Sequence, residues 1–256
     1  MRYDLIDHDR PLLNRVAVVT GATGGLGSAI CRGLAGAGAR VVATFRRHEA
    51  AAQALMEHLT GEGHALVKAD VTDSATLGHL AREIDGRYGT VDLLVNSVGT
   101  TRFVQHADLA ALEDDLIDEI FRTNWRGPFA TIRALAPLLS NRDGGLVVNI
   151  SSIAGVSGVG SNVAYCASKA ALNTMTVSLA RALAPAVRVV SISPGLVDTD
   201  FIKGLDPDWR REQADRTPLG RLASPEDVSR AVLAVATMLS YSTGSIISVD
   251  GGRLLA

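Results

Sequence analysis

Cysteine is almost absent from this 256-residue chain: Cys31 and Cys166 are the whole supply, and each falls inside a helical stretch. That excludes a disulfide framework and a zinc site of the CxxC type. Charge of one sign is equally scarce, with 25 Lys and Arg against 27 Asp and Glu and a net charge of −2. The basic residues are scattered, so the electrostatic footprint of a nucleic-acid binder is missing. His48, His58, His64 and His79 have no partners at ligand spacing and read as solvated helix or loop residues, so no metal is predicted. No stretch approaches ~18 uninterrupted apolar residues, and residues 1–13 are charged without an apolar leader core. Neither a membrane span nor secretion is predicted, and the expected location is cytoplasmic. Repeats and low-complexity tracts are absent too.

What is present is apolar and orderly. At 47% hydrophobic and 20% charged, the chain can bury one substantial core. Strand-like runs at Val16, Val41, Ala65, Leu93, Val147, Val187 and Ile246 alternate with helical stretches. Continuous apolar strands alternating with helices predict an α/β fold, a parallel seven-stranded sheet covered by helices on both faces. Residues 14–256 are read as one such domain, and 1–13 as an N-terminal extension. Ser224, Pro225 and Asp227 stand at N-cap, N1 and N3 of a predicted helix.

Chemistry enters with Tyr165 and Lys169 in YCASK. A helix turns once in about 3.6 residues, so the two side chains share one face. An ammonium beside a phenol favours the phenolate and is expected to lower its pKa from ~10. Cys166, next in sequence, points about 100° away and is given no redox role. Ser152 ends the apolar run LVVNISS, and the Gly/Ser-rich loop after it leads back to the Tyr165 helix. Strand, loop and helix would bring two hydroxyls to one carbonyl oxygen, Ser152 to polarise it and Tyr165 to deliver a proton.

A second signal lies in RVAVVTGATGGLGSAICRGLAG, a buried strand, a glycine turn and a helix of small residues. Gly21, Gly25 and Gly27 (GxxxGxG) would let the backbone turn, approach a pyrophosphate and pack helix on sheet. With these segments in hand the chain, from Asn14 to Gly252, resembles the short-chain dehydrogenase/reductase family. The resemblance implies a single doubly wound Rossmann-type domain and further site residues. Thr23 and Leu26 fall in the family's glycine turn. Asp70 and Val71 match its adenine-holding pair, Asn96 and Gly99 the ends of its NNAG turn, and Asn124 its helix asparagine. Pro194, Gly195, Val197 and Thr199 match the PGxVxT loop near the nicotinamide. Ser97 and Val98 depart from the family pattern, giving NSVG for NNAG.

Phe45 stands where NAD-preferring relatives carry an acid, and Arg46, nineteen residues after Gly27, with Arg47 offers guanidinium groups to a 2′-phosphate. NADP(H) is therefore expected, with NAD(H) use open. The resemblance implies hydride transfer between a ketone and a secondary alcohol. Lys169 would grip the nicotinamide ribose, and Asn124 would kink its helix and hold a water that refills the proton. Residues 201–209 are expected to cover the site, with Phe201, Ile202, Leu205 and Trp209 as apolar walls. The chain looks most like 3-oxoacyl-acyl-carrier-protein reductases, but Asp143 and Ala186 stand where those have basic docking residues, with Arg142 or Arg188 as substitutes. A free sugar, polyol or cyclic alcohol remains open. So do a non-catalytic NADP(H)-binding sensor and an unrelated methyltransferase or epimerase. The family implies a homotetramer built by helices around 107–139 and 163–183 and by the strand near Ile246.

Overall fold

The computed structural model describes residues 10–141, 144–199, 202, 204 and 206–256. Seven strands form one sheet: β1 (Val16–Thr20), β2 (Arg40–Phe45), β3 (Ala65–Lys68), β4 (Leu93–Asn96), β5 (Gly145–Ile150), β6 (Val187–Pro194) and β7 (Ile246–Val249). Their order is β3-β2-β1-β4-β5-β6-β7, and every pairing is parallel. All seven apolar runs expected to be strands are strands. The reason is burial on both faces, which makes the central strands near-continuous Val, Leu and Ile.

Alternation along each strand divides the core in two. Ala17 and Val19 face Ile30 and Leu34 of α1 (Gly25–Gly36) and Val228, Val232 and Val235 of α9 (Pro225–Thr237). Val16 and Val18 face α3 (Ser74–Tyr88), α5 (Gly127–Leu139) and α7 (Val163–Leu183), where Leu77, Leu135 and Leu172 are buried. A smaller cluster joins Val104 to Leu116 and Ile120 of α4 (Asp114–Phe121) and to Ala164. Further α-helices among the described residues are α2 (Glu49–Glu57), α6 (Ala154–Ser157) and α8 (Pro207–Asp215).

Three expectations are adjusted. The helical stretch expected from about Ala107 starts only at Asp114, and a π-turn at Arg122–Arg126 divides α4 from α5. Within the supposed extension, Leu12 is buried and its N–H donates to Ala37 O at 2.9 Å, so the body of the fold takes it in. His64 is no idle surface residue, because its Nδ1 accepts the N–H of Val41 at 3.0 Å, at the start of β2.

Topology locates the site. The chain builds outward from β1 to β3, then returns to β4 on the other side of β1, leaving a crevice beyond the carboxyl ends of these strands. Thr20 pairs with Asn96, and Asn96 with Asn149, so Gly21, Ser97 and Ile150 emerge side by side at that edge.

Candidate active site

The glycine turn follows directly from β1. Gly21 has φ +67, a left-handed conformation that a side chain disfavours. A Cβ on Gly27 would strike the carbonyl oxygen of Gly21, and one on Gly25 would lie 3.3 Å from Thr199 Cγ2. The turn is thus closed on itself and capped by the loop after β6. Helix α1 has Gly24 as its N-cap, so no side chain caps it, and no acidic residue stands in its first turn. Its leading N–H groups are free for an anion, which is what a pyrophosphate needs. A dinucleotide fits the residues present.

Beside the turn lies a cleft of about 260 Å³ lined by Gly21, Thr23, Arg46, Arg47, Asp70, Val71, Val98 and Gly99 among others. Arg46 Nη1 stands 3.7 Å from Asp70 Oδ2. Burial pushes the Asp70 carboxyl up, but hydrogen bonds from the Thr72 hydroxyl and N–H, with the nearby Arg46 and Arg47 charges, outweigh it and hold the pKa below the usual range. Both arginines therefore face the acid at the far end of the cleft. Phe45 is buried in the sheet.

Gly99 connects this cleft to the catalytic candidates, since a Cβ there would sit 3.7 Å from both Asn124 Oδ1 and Lys169 Nζ. Asn124 is fully buried in the π-turn. Its Oδ1 accepts the Thr100 N–H at 2.8 Å, and its Nδ2 donates to Thr100 O at 3.0 Å and Ser168 Oγ at 3.1 Å. Lys169 is buried too, donating to Ile150 O at 2.9 Å, with Nζ 5.8 Å from the Tyr165 ring centroid. Ser152 Oγ accepts the Ala154 N–H at 3.1 Å, opening α6, and engages the Tyr165 hydroxyl.

One electrostatic expectation is corrected. Burial pushes the Tyr165 phenol above its ordinary value, and the Ser152 hydroxyl draws it back only in part. Lys169 does not lower it, because burial brings the lysine itself down to about 8 and its ammonium is turned to the Ile150 carbonyl. Four-residue spacing puts the two side chains on one face but does not say where the amine ends.

The other expected residues divide clearly. Leu26 packs against the core, and the Asn96 amide turns away to donate to Asn149 Oδ1 at 2.9 Å. Pro194 ends β6, Gly195 approaches Asp250 Cα closely, and Val197 bridges to Ala223. In the departure from NNAG, Val98 Cγ2 closes on Gly21 and Ser97 Oγ is buried without a partner. Of the covering segment, Ile202 is buried and Trp209 is exposed on α8, while Phe201 and Leu205 lie outside the described residues. Arg142 and Asp143 lie outside them also. Arg188 is no substitute docking group, because its guanidinium donates to Val235 O, Leu239 O and Ser242 O. Sequence reading missed Asn162, the N-cap of α7, although an asparagine ahead of a helical run is a start signal. Among the described residues no helix is long and apolar enough to cross a membrane.

A parallel sheet with a glycine turn at its crevice and a Ser, Tyr and Lys set beyond the next strands defines a dehydrogenase/reductase of the Rossmann class. Residues 21–253 match the family model described as enoyl-(acyl carrier protein) reductase. The chain is 38% identical to a Streptomyces violaceoruber protein assigned as ketoacyl reductase 2 of granaticin polyketide synthase, over 94% of this chain and 96% of that one. It is 33% identical to the 3-oxoacyl-acyl-carrier-protein reductase FabG of Escherichia coli (strain K12), over 94% and 98%. The crystal structure of a Brucella melitensis short-chain dehydrogenase/reductase, described as a glucose/ribitol dehydrogenase, superposes with TM-score 0.88 at 31% identity, covering 96% of this chain and 98% of that one. The chain belongs to the short-chain dehydrogenase/reductase family. It is an oxidoreductase that interconverts a ketone and a secondary alcohol with a nicotinamide coenzyme.

Proposed function

We propose that the protein is an NADP(H)-preferring reductase of apolar ketones, including 3-oxoacyl thioesters, with Ser152, Tyr165, Lys169 and Asn124 as its working set. The observation that carries this reading is the meeting at Gly99, where the arginine-ended cleft opens onto the buried Asn124 and Lys169. When bound, the nicotinamide supplies the hydride in reduction and accepts it in oxidation. Ser152 holds the substrate oxygen and Tyr165 protonates it, a role suited to a phenol that burial keeps neutral. Lys169, brought to about 8, can lose a proton near neutrality and so restore the phenol, with Asn124 ordering the route behind it. Arg46 and Arg47 bind the 2′-phosphate, and Gly21, Thr23, Gly25, Leu26 and Gly27 hold the pyrophosphate. Asp70 and Val71 take the adenine, and Asn96 shapes the turn beside it. Gly99, Pro194, Gly195, Val197 and Thr199 flank the nicotinamide.

Exposed Phe103 on the loop after β4, with Val156 on α6 and Val159 just beyond it, favours an apolar substrate. A free sugar or polyol is the second reading, favoured by the likeness to the Brucella melitensis glucose/ribitol dehydrogenase structure. Working in the cytoplasm as a homotetramer, built through α4, α5, α7 and β7, completes the proposal. The test is a panel of 3-oxoacyl thioesters, cyclic ketones and sugars, followed by NADPH and NADH absorbance. Tyr165→Phe should lower kcat by about 10²–10⁴-fold while still binding NADPH. Equal, negligible turnover by both proteins across the panel, with NADPH still bound, would leave a coenzyme sensor instead.

A further inference from the structure

Asn162 lies three residues before Tyr165, at the N-cap of the helix that carries the phenol, and only 1% of it is exposed. Its Oδ1 accepts the backbone N–H of Tyr165 itself at 2.7 Å. Its Nδ2 donates to Arg102 O at 2.7 Å and Thr101 Oγ1 at 3.2 Å, in the loop after β4. That loop is fastened again by Val104 N to Ser161 O at 2.8 Å, by Thr101 Oγ1 with Ser161 Oγ, and by His106 Nε2 with Gly160 O. One residue earlier, Thr100 is gripped through both backbone groups by Asn124, whose amide also reaches Ser168 on the same helix. Two buried asparagines thus hold consecutive residues of one loop, and each is tied to the helix bearing Tyr165 and Lys169.

We propose that Asn162 is a positioning residue for the reaction: by capping the N–H of Tyr165 and gripping Thr101 and Arg102, it sets the phenol against the substrate loop. An ordinary cap stabilises a helix by serving any of its first free donors. Here the donor served belongs to the proton-transferring residue, and the other end of the same amide holds the wall carrying Phe103. The two halves of the amide have separable tasks. Oδ1 fixes the height and direction of the tyrosine, while Nδ2 fixes the loop. The inference rests on Tyr165 being the acid, as proposed above.

The test compares Asn162→Ala, Asn162→Ser and Tyr165→Phe in the full chain, with the best ketone of the panel. Asn162→Ala should lower kcat at least tenfold and shift the Tyr165 limb of the kcat pH profile, with the dissociation constant for NADPH changed less than twofold. Asn162→Ser keeps an oxygen for the cap and gives up the grip on Arg102. It should recover most of kcat and the pH profile while KM for the ketone stays raised. The idea is overturned if Asn162→Ala folds with a lower melting temperature but keeps the wild-type kcat and pH profile, for that is a cap and nothing more. Equal impairment of kcat in the alanine and serine variants also overturns it. If Tyr165→Phe retains wild-type kcat, the assignment of the acid has failed, which is a different result from retention by Asn162→Ala alone.

Discussion

Two helices that pack against each other begin in opposite ways. Helix α9 opens with a capping box: the Ser224 hydroxyl accepts the Asp227 N–H at 3.2 Å, and the Asp227 carboxylate accepts the Ser224 N–H at 2.7 Å. With Pro225 in its first turn, lacking an N–H, the helix needs little from outside. Helix α1 opens at Gly24 with neither cap nor acid. The same orphaned donors exist at both starts, so the difference lies in who satisfies them. One end is finished by the chain, and the other is left for a ligand's phosphate. The finished helix also steadies the open one, since Ser229 Oγ donates to Ala29 O at 3.0 Å and Gly33 leaves room for nothing larger against that hydroxyl.

The contrast breaks most severely if the open end is filled. In Gly27→Val the new Cβ meets the Gly21 carbonyl oxygen and stands 2.9 Å from Ala22 Cα, so the turn must open. Losing two charge-assisted hydrogen bonds of ~1.5–3 kcal/mol each should weaken coenzyme binding by about two orders of magnitude or more. Fluorescence titration with NADPH measures it, and unchanged binding would show that the phosphate sits elsewhere. Arg46→Ala sharpens the comparison at the other end of the cleft. Removing one guanidinium contact should cut the NADPH over NADH preference in kcat/KM by ~10–100-fold, leaving NADH nearly untouched. Equal losses with both coenzymes would mean that Arg46 serves the cleft through Asp70 and not the 2′-phosphate.

The third effect is smaller and depends on pH. Lys169 is brought from 10.5 in the ordinary chain to about 8 when folded, by burial. Between those values the unfolded chain binds more protons, so this residue makes stability rise with pH from about 8 upward. Above pH ~10 Tyr165 acts in the other direction, because its raised pKa keeps a proton that the unfolded chain releases. The window is therefore about pH 8 to 10. Melting curves of coenzyme-free protein across it should climb relative to Lys169→Met, by at most ~1.4 kcal/mol per pH unit. Parallel curves for the two proteins would show that burial does not depress the pKa of the amine.

How far these features were legible in the sequence follows from what a pattern can carry. Burial on both faces leaves an uninterrupted apolar run, so all seven strands could be read. The capping box of α9 could be read as well, because its parts lie three residues apart. The π-turn around Asn124 could not, since one extra residue per turn leaves apolar periodicity nearly unchanged over five positions. Arg188 shows its charge in the sequence but not the three carbonyls that absorb it. Lys169 shows its spacing from Tyr165 but not that Ile150 O takes its ammonium. Asn162 was within reach of the rule for helix starts, and what hid it was its neighbour's more conspicuous chemistry.

The mildest break falls on the closed end. Asp227 is held well below the usual carboxylate range, first by hydrogen bonding from Arg221 and then by Ser224 and Arg230, against a smaller opposing effect of burial. A carboxylate depressed in the folded state stabilises above the ordinary value near 4, and that contribution fades as pH falls below it. Asp227→Ala should cost about 1 kcal/mol at neutral pH, the usual worth of a cap, and lower Tm by roughly 2–4 °C. It should also flatten the loss of stability in acid, less so at high salt, where the exposed Arg221 and Arg230 are screened. Coenzyme affinity should stay as in the wild type, since the box faces its own helix and no ligand. If NADPH binding weakens along with Tm, the closed end supports the open one through the Ser229 and Ala29 contact more strongly than two independent helix starts would allow.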